Sequence, residues 1–205
     1  MSKGFTLIEL LIVIGILAIL ATATVLVLNP VELFRQARDA QRLADLDTLR
    51  SAITLYLTDV APPTSLEDAT APAFTCAGNF GQSASVAVAS KRFMGVFAAE
   101  SGIRIAAATN RVVNGDGWLP VNFSLITGGS PFGALPVDPT NDGTNNYQYA
   151  CNNGTKAFEL NAVLESAKYI PMMTADGGDN AGSAAGVVGV AGASVAYETG
   201  TNLAL

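Results

Sequence analysis

Residues 10–28 read LLIVIGILAILATATVLVL, nineteen positions that are all apolar, Gly or Thr. At 1.5 Å per residue the run makes about 28 Å of helix, close to the thickness of a bilayer's hydrocarbon core. A secretory signal has a shorter apolar stretch that ends at a small-residue cleavage site, and Ala21-Thr22-Ala23-Thr24 imitates one. The run continues through 25–28, which favours an anchoring helix over a removable signal. Just ahead of it stands Met1-Ser2-Lys3-Gly4-Phe5-Thr6-Leu7-Ile8-Glu9. A carboxylate at the border of a membrane helix is costly at depth and suggests a partner. Residence among lipid head groups is the plainer reading of Glu9, and position alone leaves both open.

Composition narrows the function classes. The net charge is −6, from 11 basic and 17 acidic residues. That balance argues against a nucleic-acid partner, whose footprint would be a basic patch. Histidine is absent. Ser-His-Asp and Cys-His chemistry and the usual catalytic zinc sites therefore have no base or ligand to draw on. No nucleophile–base constellation is visible, and an enzyme is not expected.

Lys3-Gly4-Phe5-Thr6-Leu7-Ile8-Glu9, followed by an unbroken apolar helix, resembles the cleavage and methylation signature of type IV pilins and type II secretion pseudopilins. The resemblance implies a leader at 1–4 and a prepilin peptidase cut between Gly4 and Phe5 on the cytoplasmic side. N-methylation of Phe5 would follow, and Glu9 would act in assembly by meeting the N-terminal amine of a neighbouring subunit. An α-amino group with pKa near 7.7–8.0 is largely cationic, so opposite charges buried in a filament must pair. Lys3 fits an N-in topology by the positive-inside rule. The implied protein is a single-pass precursor in the cytoplasmic membrane. Its C-terminal domain lies outside the cytoplasm and ends in a surface pilus or periplasmic pseudopilus. Its partners would be copies of itself or sister subunits, the peptidase, an inner-membrane assembly platform and, before assembly, the lipid bilayer. The alternative is a membrane-anchored or secreted binding module with an ordinary signal.

Residues 1–60 hold two of the 20 glycines and one of the nine prolines, so the chain divides there. We expect an α+β fold, a long N-terminal helix packed on a small antiparallel sheet, in the manner of pilins. Its helix has an assembly half at 5–28 and an amphipathic half at 29–60, with a turn-rich domain at 61–205. Asn29-Pro30 predicts a kink or a cap between the halves. Members of the resembled family usually carry a helix-breaking Pro where this chain has Leu26. Phe34, Ala37, Leu43, Leu46, Leu49, Ile53, Leu57 and Val60 form one apolar stripe at helical spacing. Arg35 with Asp39, Arg42 with Asp45, and Asp47 with Arg50 are expected to pair on the outer, solvated face. Arg35, Arg38, Arg42, Asp39 and Asp45 could instead meet charges on neighbouring helices.

Beyond Pro62-Pro63, residues 64–85 read as loop, 86–89 as a short strand or helix start, and 92–101 as a weak helix. Strand patterns follow at 111–113, 118–126, 147–151 and 157–164, with an edge strand at 194–198 and a turn at Asn152-Asn153-Gly154. The glycine-spaced stretch 182–194 reads as a loop. Cys76 and Cys151 would join in an oxidising compartment if their Cα atoms approach within about 7 Å, and otherwise would be two buried thiols. An exported domain favours the bridge. Asp138-Pro139-Thr140-Asn141-Asp142-Gly143 has oxygen ligands at the spacing of a calcium loop but lacks the closing Glu. Asp176-Gly177-Gly178-Asp179 is a second acidic group. Residues 135–179 also look like the calcium-binding end of the major pseudopilins, which would make Asp138, Asp142, Asp176 and Asp179 ligands of one Ca²⁺. Solvated turn carboxylates are the other reading.

Overall fold

The computed structural model describes residues 4–61, 65–67, 76, 79–83, 102–105, 111–178 and 196–203. Two helices begin the chain, α1 at Leu7–Leu28 and α2 at Pro30–Asp59. The break between them is a single residue. Asn29 adopts a left-handed conformation (φ 40°, ψ 72°), which Asn tolerates better than most non-glycine residues. Pro30 then starts α2, where its missing N–H costs nothing. Kink and cap are thus the same event.

Five strands follow: β1 at Asn79–Gln82, β2 at Gly102–Ile105, β3 at Gln148–Asn152, β4 at Ala157–Ala162 and β5 at Tyr197–Gly200. They lie in the order β2-β1-β3-β4-β5. Four strands, β1, β3, β4 and β5, form an antiparallel ladder, and β2 runs parallel to β1 at one edge. The fold is α+β, with the second helix laid on a small sheet, as the sequence led us to expect.

Strand alternation builds the core. Tyr149, Cys151, Phe158 and Leu160 point to one face and meet Leu46, Leu49, Ile53 and Tyr56 of α2. Trp118, Phe123 and Tyr147 fill the space beside them, with the Tyr56 and Phe123 rings edge to face at 6.3 Å. Gly81 is required where β1 passes Trp118, because a Cβ there would overlap the Trp118 carbonyl oxygen.

Several local expectations need correction. Residues 118–126 form no strand. They bend and end in a 3₁₀ turn at Phe123–Leu125, because Pro120 has no N–H for a ladder and Asn122 Oδ1 takes the Ser124 amide instead. Residues 111–113 likewise form no strand, and only the isolated bridge Asn114–Asn122 is found nearby. The segment read as loop at 64–85 contains β1, and β2 lies at Gly102–Ile105, between the expected helix and the first expected strand. The edge strand lies at Tyr197–Gly200 rather than at 194–198. The elements expected at 86–89 and 92–101, and the loop at 182–194, lie outside the described residues.

Candidate functional site

At the N-terminus, Thr6 is extended and caps α1. Its hydroxyl accepts the Glu9 amide at 3.3 Å, while Glu9 Oε2 accepts the Thr6 amide at 2.8 Å and the Thr6 hydroxyl at 2.7 Å. This reciprocal capping box satisfies amide groups that the first helical turn leaves without partners. Glu9 therefore has a local structural task as well as its charge. Gly4 and Phe5 precede the cap, both exposed, and nothing lies within 4 Å of a Cβ built on Gly4.

From Leu7 to Thr24 the helix is entirely exposed, and beyond Glu9 it is apolar on every side. The Thr22 and Thr24 hydroxyls donate back to the Ala18 and Ala21 carbonyls, both at 2.8 Å, so neither needs water. Length and composition suit a bilayer crossing. An exposed surface of Leu, Ile and Val side chains needs lipid or protein around it.

Directly after the break, α2 is fastened to the rest of the chain by charge rather than by apolar packing. Asp39 and Arg42 are both 0% exposed. This overturns their assignment to a solvated outer face or to neighbouring subunits. Arg42 forks onto Asp138, with Nε to Oδ2 at 2.7 Å and Nη2 to Oδ1 at 3.0 Å. Its Nη1 donates to Asp39 Oδ1 at 2.8 Å and to Glu165 Oε2 at 3.0 Å, and Nη2 also reaches Thr140 Oγ1. Arg38 adds a second guanidinium on Glu165 at 2.7 Å. The Asp39 carboxylate further accepts the amides of Glu165 and Ser166, and Glu32 Oε1 accepts that of Ala167 at 2.7 Å.

Three carboxylates thus surround two arginines. Burial works against the charge on Arg42, but Asp138, Asp39 and Glu165 outweigh it and hold its pKa above the ordinary value. Next along the helix, Asp45 accepts the Tyr147 hydroxyl at 2.8 Å. Burial raises the Asp45 pKa. Burial, then the Asp45 charge, raises that of Tyr147. Glu165 and Tyr147 carried no local signal. Asp39 and Arg42 did, because the buried spacing 46, 49, 53, 56 extends backward onto 42 and 39.

Cys76 and Cys151 form a disulfide that joins β3 to the stretch after α2. Around it, Leu66 O accepts the Tyr149 hydroxyl, Leu66 N donates to Asn153 Oδ1, and Glu67 Oε1 takes the Cys76 amide.

Of the four aspartates suggested for calcium, three are described, and among the described residues no three Asp, Glu or Cys side chains make a metal group. Asp138 is engaged by Arg42. Asp142 accepts the Thr144 and Asn145 amides of its own turn, bonds that hold its pKa low, with Asn145 the larger cause. Asp176 accepts the Gly178 and Glu198 amides, and Asp179 lies outside the described residues.

Against known families, residues 1–25 match the model of the prokaryotic N-terminal methylation motif. The chain carries a prepilin-type signal. That signal belongs to type IV pilins and pseudopilins, a family of structural rather than enzymatic proteins. The prepilin-type signal and the apolar α1 together fit a membrane-anchored precursor. No curated protein and no solved structure matches the chain.

Proposed function

We propose that this chain is a structural subunit of a type IV pilus or type II secretion pseudopilus. Its leader, residues 1–4, is removed by prepilin peptidase at Gly4-Phe5. Phe5 is then N-methylated, and the subunits polymerise through α1, with the domain at 61–205 outside the cytoplasm. The observation that carries this reading is the methylation motif joined to a helix that is apolar and exposed on all sides. In the bilayer, lipid covers that surface. In a filament, neighbouring α1 helices replace the lipid, and the cationic Phe5 amine must find a carboxylate in a medium where an unpaired charge is strongly penalised. Glu9 supplies it, shifting from the Thr6 cap in the free subunit to a neighbour's amine in the polymer.

Mass spectrometry of the mature N-terminus tests the processing step. The expected product begins at Phe5 and carries one methyl group, whereas a start after Ala21 or Ala23 points to an ordinary signal. Gly4→Leu should accumulate the uncut precursor. Since nothing crowds Gly4 within the chain, any effect lies in the peptidase groove rather than in folding. Glu9→Ala should leave processed, methylated monomer in the membrane and abolish filaments, as counted by electron microscopy of sheared material. Filaments at wild-type abundance from that variant would sink the charge-pairing account.

A further inference from the structure

The exposed apolar surface of the chain does not end with α1. Val31, Leu33 and Phe34, in the first turns of α2, are 59%, 52% and 68% exposed. The first residue that α2 gives to the hydrophobic core is Leu46. Large apolar side chains grouped in this way, directly after a helix suited to lipid, call for a cover of their own.

Length says at what level they stand. α1 has 22 residues, about 33 Å of helix against about 30 Å of bilayer hydrocarbon. A crossing helix of that length delivers Asn29 to the polar layer, which is about 5–7 Å deep on each side. The first turn of α2 rises about 5 Å and fills that depth. The loop at 165–169 is held at the same level, since Glu32 Oε1 accepts the Ala167 amide at 2.7 Å and Asp39 accepts those of Glu165 and Ser166. Next to Ala167, Lys168 is exposed, with its Nζ 4.7 Å from the centre of the half-buried Tyr169 ring.

Charge at this level is sorted by direction. The carboxylates turn inward: Asp39 is buried, Glu165 meets Arg38 and Arg42, and Glu32 holds the Ala167 amide. Cations are left at the surface. Arg35 keeps 49% of its side chain exposed and reaches Glu32 only at 3.9 Å, and Lys168 is exposed as well. In a chain with a net charge of −6, composition alone would not favour a cationic rim.

We infer that these residues seat the unassembled subunit on the phospholipid headgroup layer at the C-terminal end of α1. Two observations name lipid as the cover: the patch continues the apolar surface of α1, and its rim carries the charge that lipid phosphates attract. Val31, Leu33, Phe34 and the Tyr169 ring lie at the acyl boundary, a level that aromatic rings favour. Arg35 and Lys168 lay their aliphatic stems along that boundary and reach the phosphates. The seat rests on α1 crossing a bilayer and not on polymerisation.

The test uses the full chain in vesicles of phosphatidylethanolamine and phosphatidylglycerol, with lipid in large excess. Both cysteines are held in the disulfide, so a single added cysteine carries a bimane fluorophore without reductant. Ala167→Cys places it in the loop, and Ile14→Cys places it within α1. Leu125→Cys places it at the far end of α2, where the Thr127 amide meets Asp59. A nitroxide on the lipid headgroup should quench most of the light at residue 167 and little at 125, and a nitroxide deep in the acyl chain should quench residue 14. Arg35→Glu with Lys168→Glu should restore much of the light at 167 and leave residue 14 quenched. A label at 167 as bright as that at 125, with residue 14 quenched, would overturn the seat and leave the crossing intact. Energy transfer between labelled chains in that case would assign the patch to a second copy. Quenching at 167 that ignores the charge reversal would overturn the phosphate contacts, and an unquenched residue 14 would remove the crossing and the seat together.

Discussion

Arg42→Met should cost about 3–5 kcal/mol of unfolding free energy, the penalty for stripping one partner from a buried ionic group. At about 2–4 °C per kcal/mol for a chain of this size, the melt should fall by roughly 6–20 °C. Methionine keeps most of the volume, so the loss is electrostatic. Asp39, Asp138 and Glu165 would be left facing one another, two of them fully enclosed, with only Arg38 to answer them. Arg42→Lys should recover part of the loss, because an ammonium supplies charge without the fork that grips both Asp138 oxygens. Urea melts of the three proteins, with unchanged m-values, check this. A methionine variant within about 0.5 kcal/mol of the parent, the range of ordinary surface substitutions, would mean that the cluster is solvated.

The second large effect is expected from the disulfide. Cys76–Cys151 spans 75 residues, and in the chain-entropy account closing such a loop disfavours the unfolded state by about 4 kcal/mol. Reduction, or Cys76→Ser with Cys151→Ser, should therefore lower the melt by an amount comparable to the Arg42 variant. The two losses should also add. Arg42 and Tyr56, which borders the bridged region, lie fourteen residues apart on α2, about 21 Å along its axis, and sites that far apart couple by no more than about 0.5 kcal/mol. A melt indifferent to reductant, with both thiols open to alkylation beforehand, would remove the bridge from the native protein.

What the sequence disclosed tracks the range of the interactions involved. The apolar run, the Asn29-Pro30 break and the spacing of Leu46, Leu49 and Ile53 are local, and each was legible. The stripe was misread at its near end. Asp39 and Arg42 continue it at the same spacing, but charge there was taken to mean solvent. Their burial depends on Asp138 and Glu165, 96 and 123 residues from Arg42, and no local pattern reports such partners. β1 was missed for a similar reason. Asn79-Phe80-Gly81-Gln82 has weak strand character, and its glycine answers to the Trp118 carbonyl, another distant contact. The reverse error at 118–126 came from strand-favouring side chains whose backbone, at Pro120, cannot join a ladder.

The single-residue break at Asn29 sets where mechanical load enters the protein. Only Asn29, Pro30 and Val31 separate the end of α1 from Glu32, which already grips the Ala167 amide. A pull along α1 has almost no slack chain to straighten first. It arrives first at Glu32, Arg38, Asp39 and Arg42, which hold residues 165–167 and Asp138, and only later along the chain at the helical turns that pack on the strands. Charge-assisted bonds sheared together resist in parallel, so the ionic clasp is the coupling between tether and head, and tension that separates them must break it before it unravels the sheet.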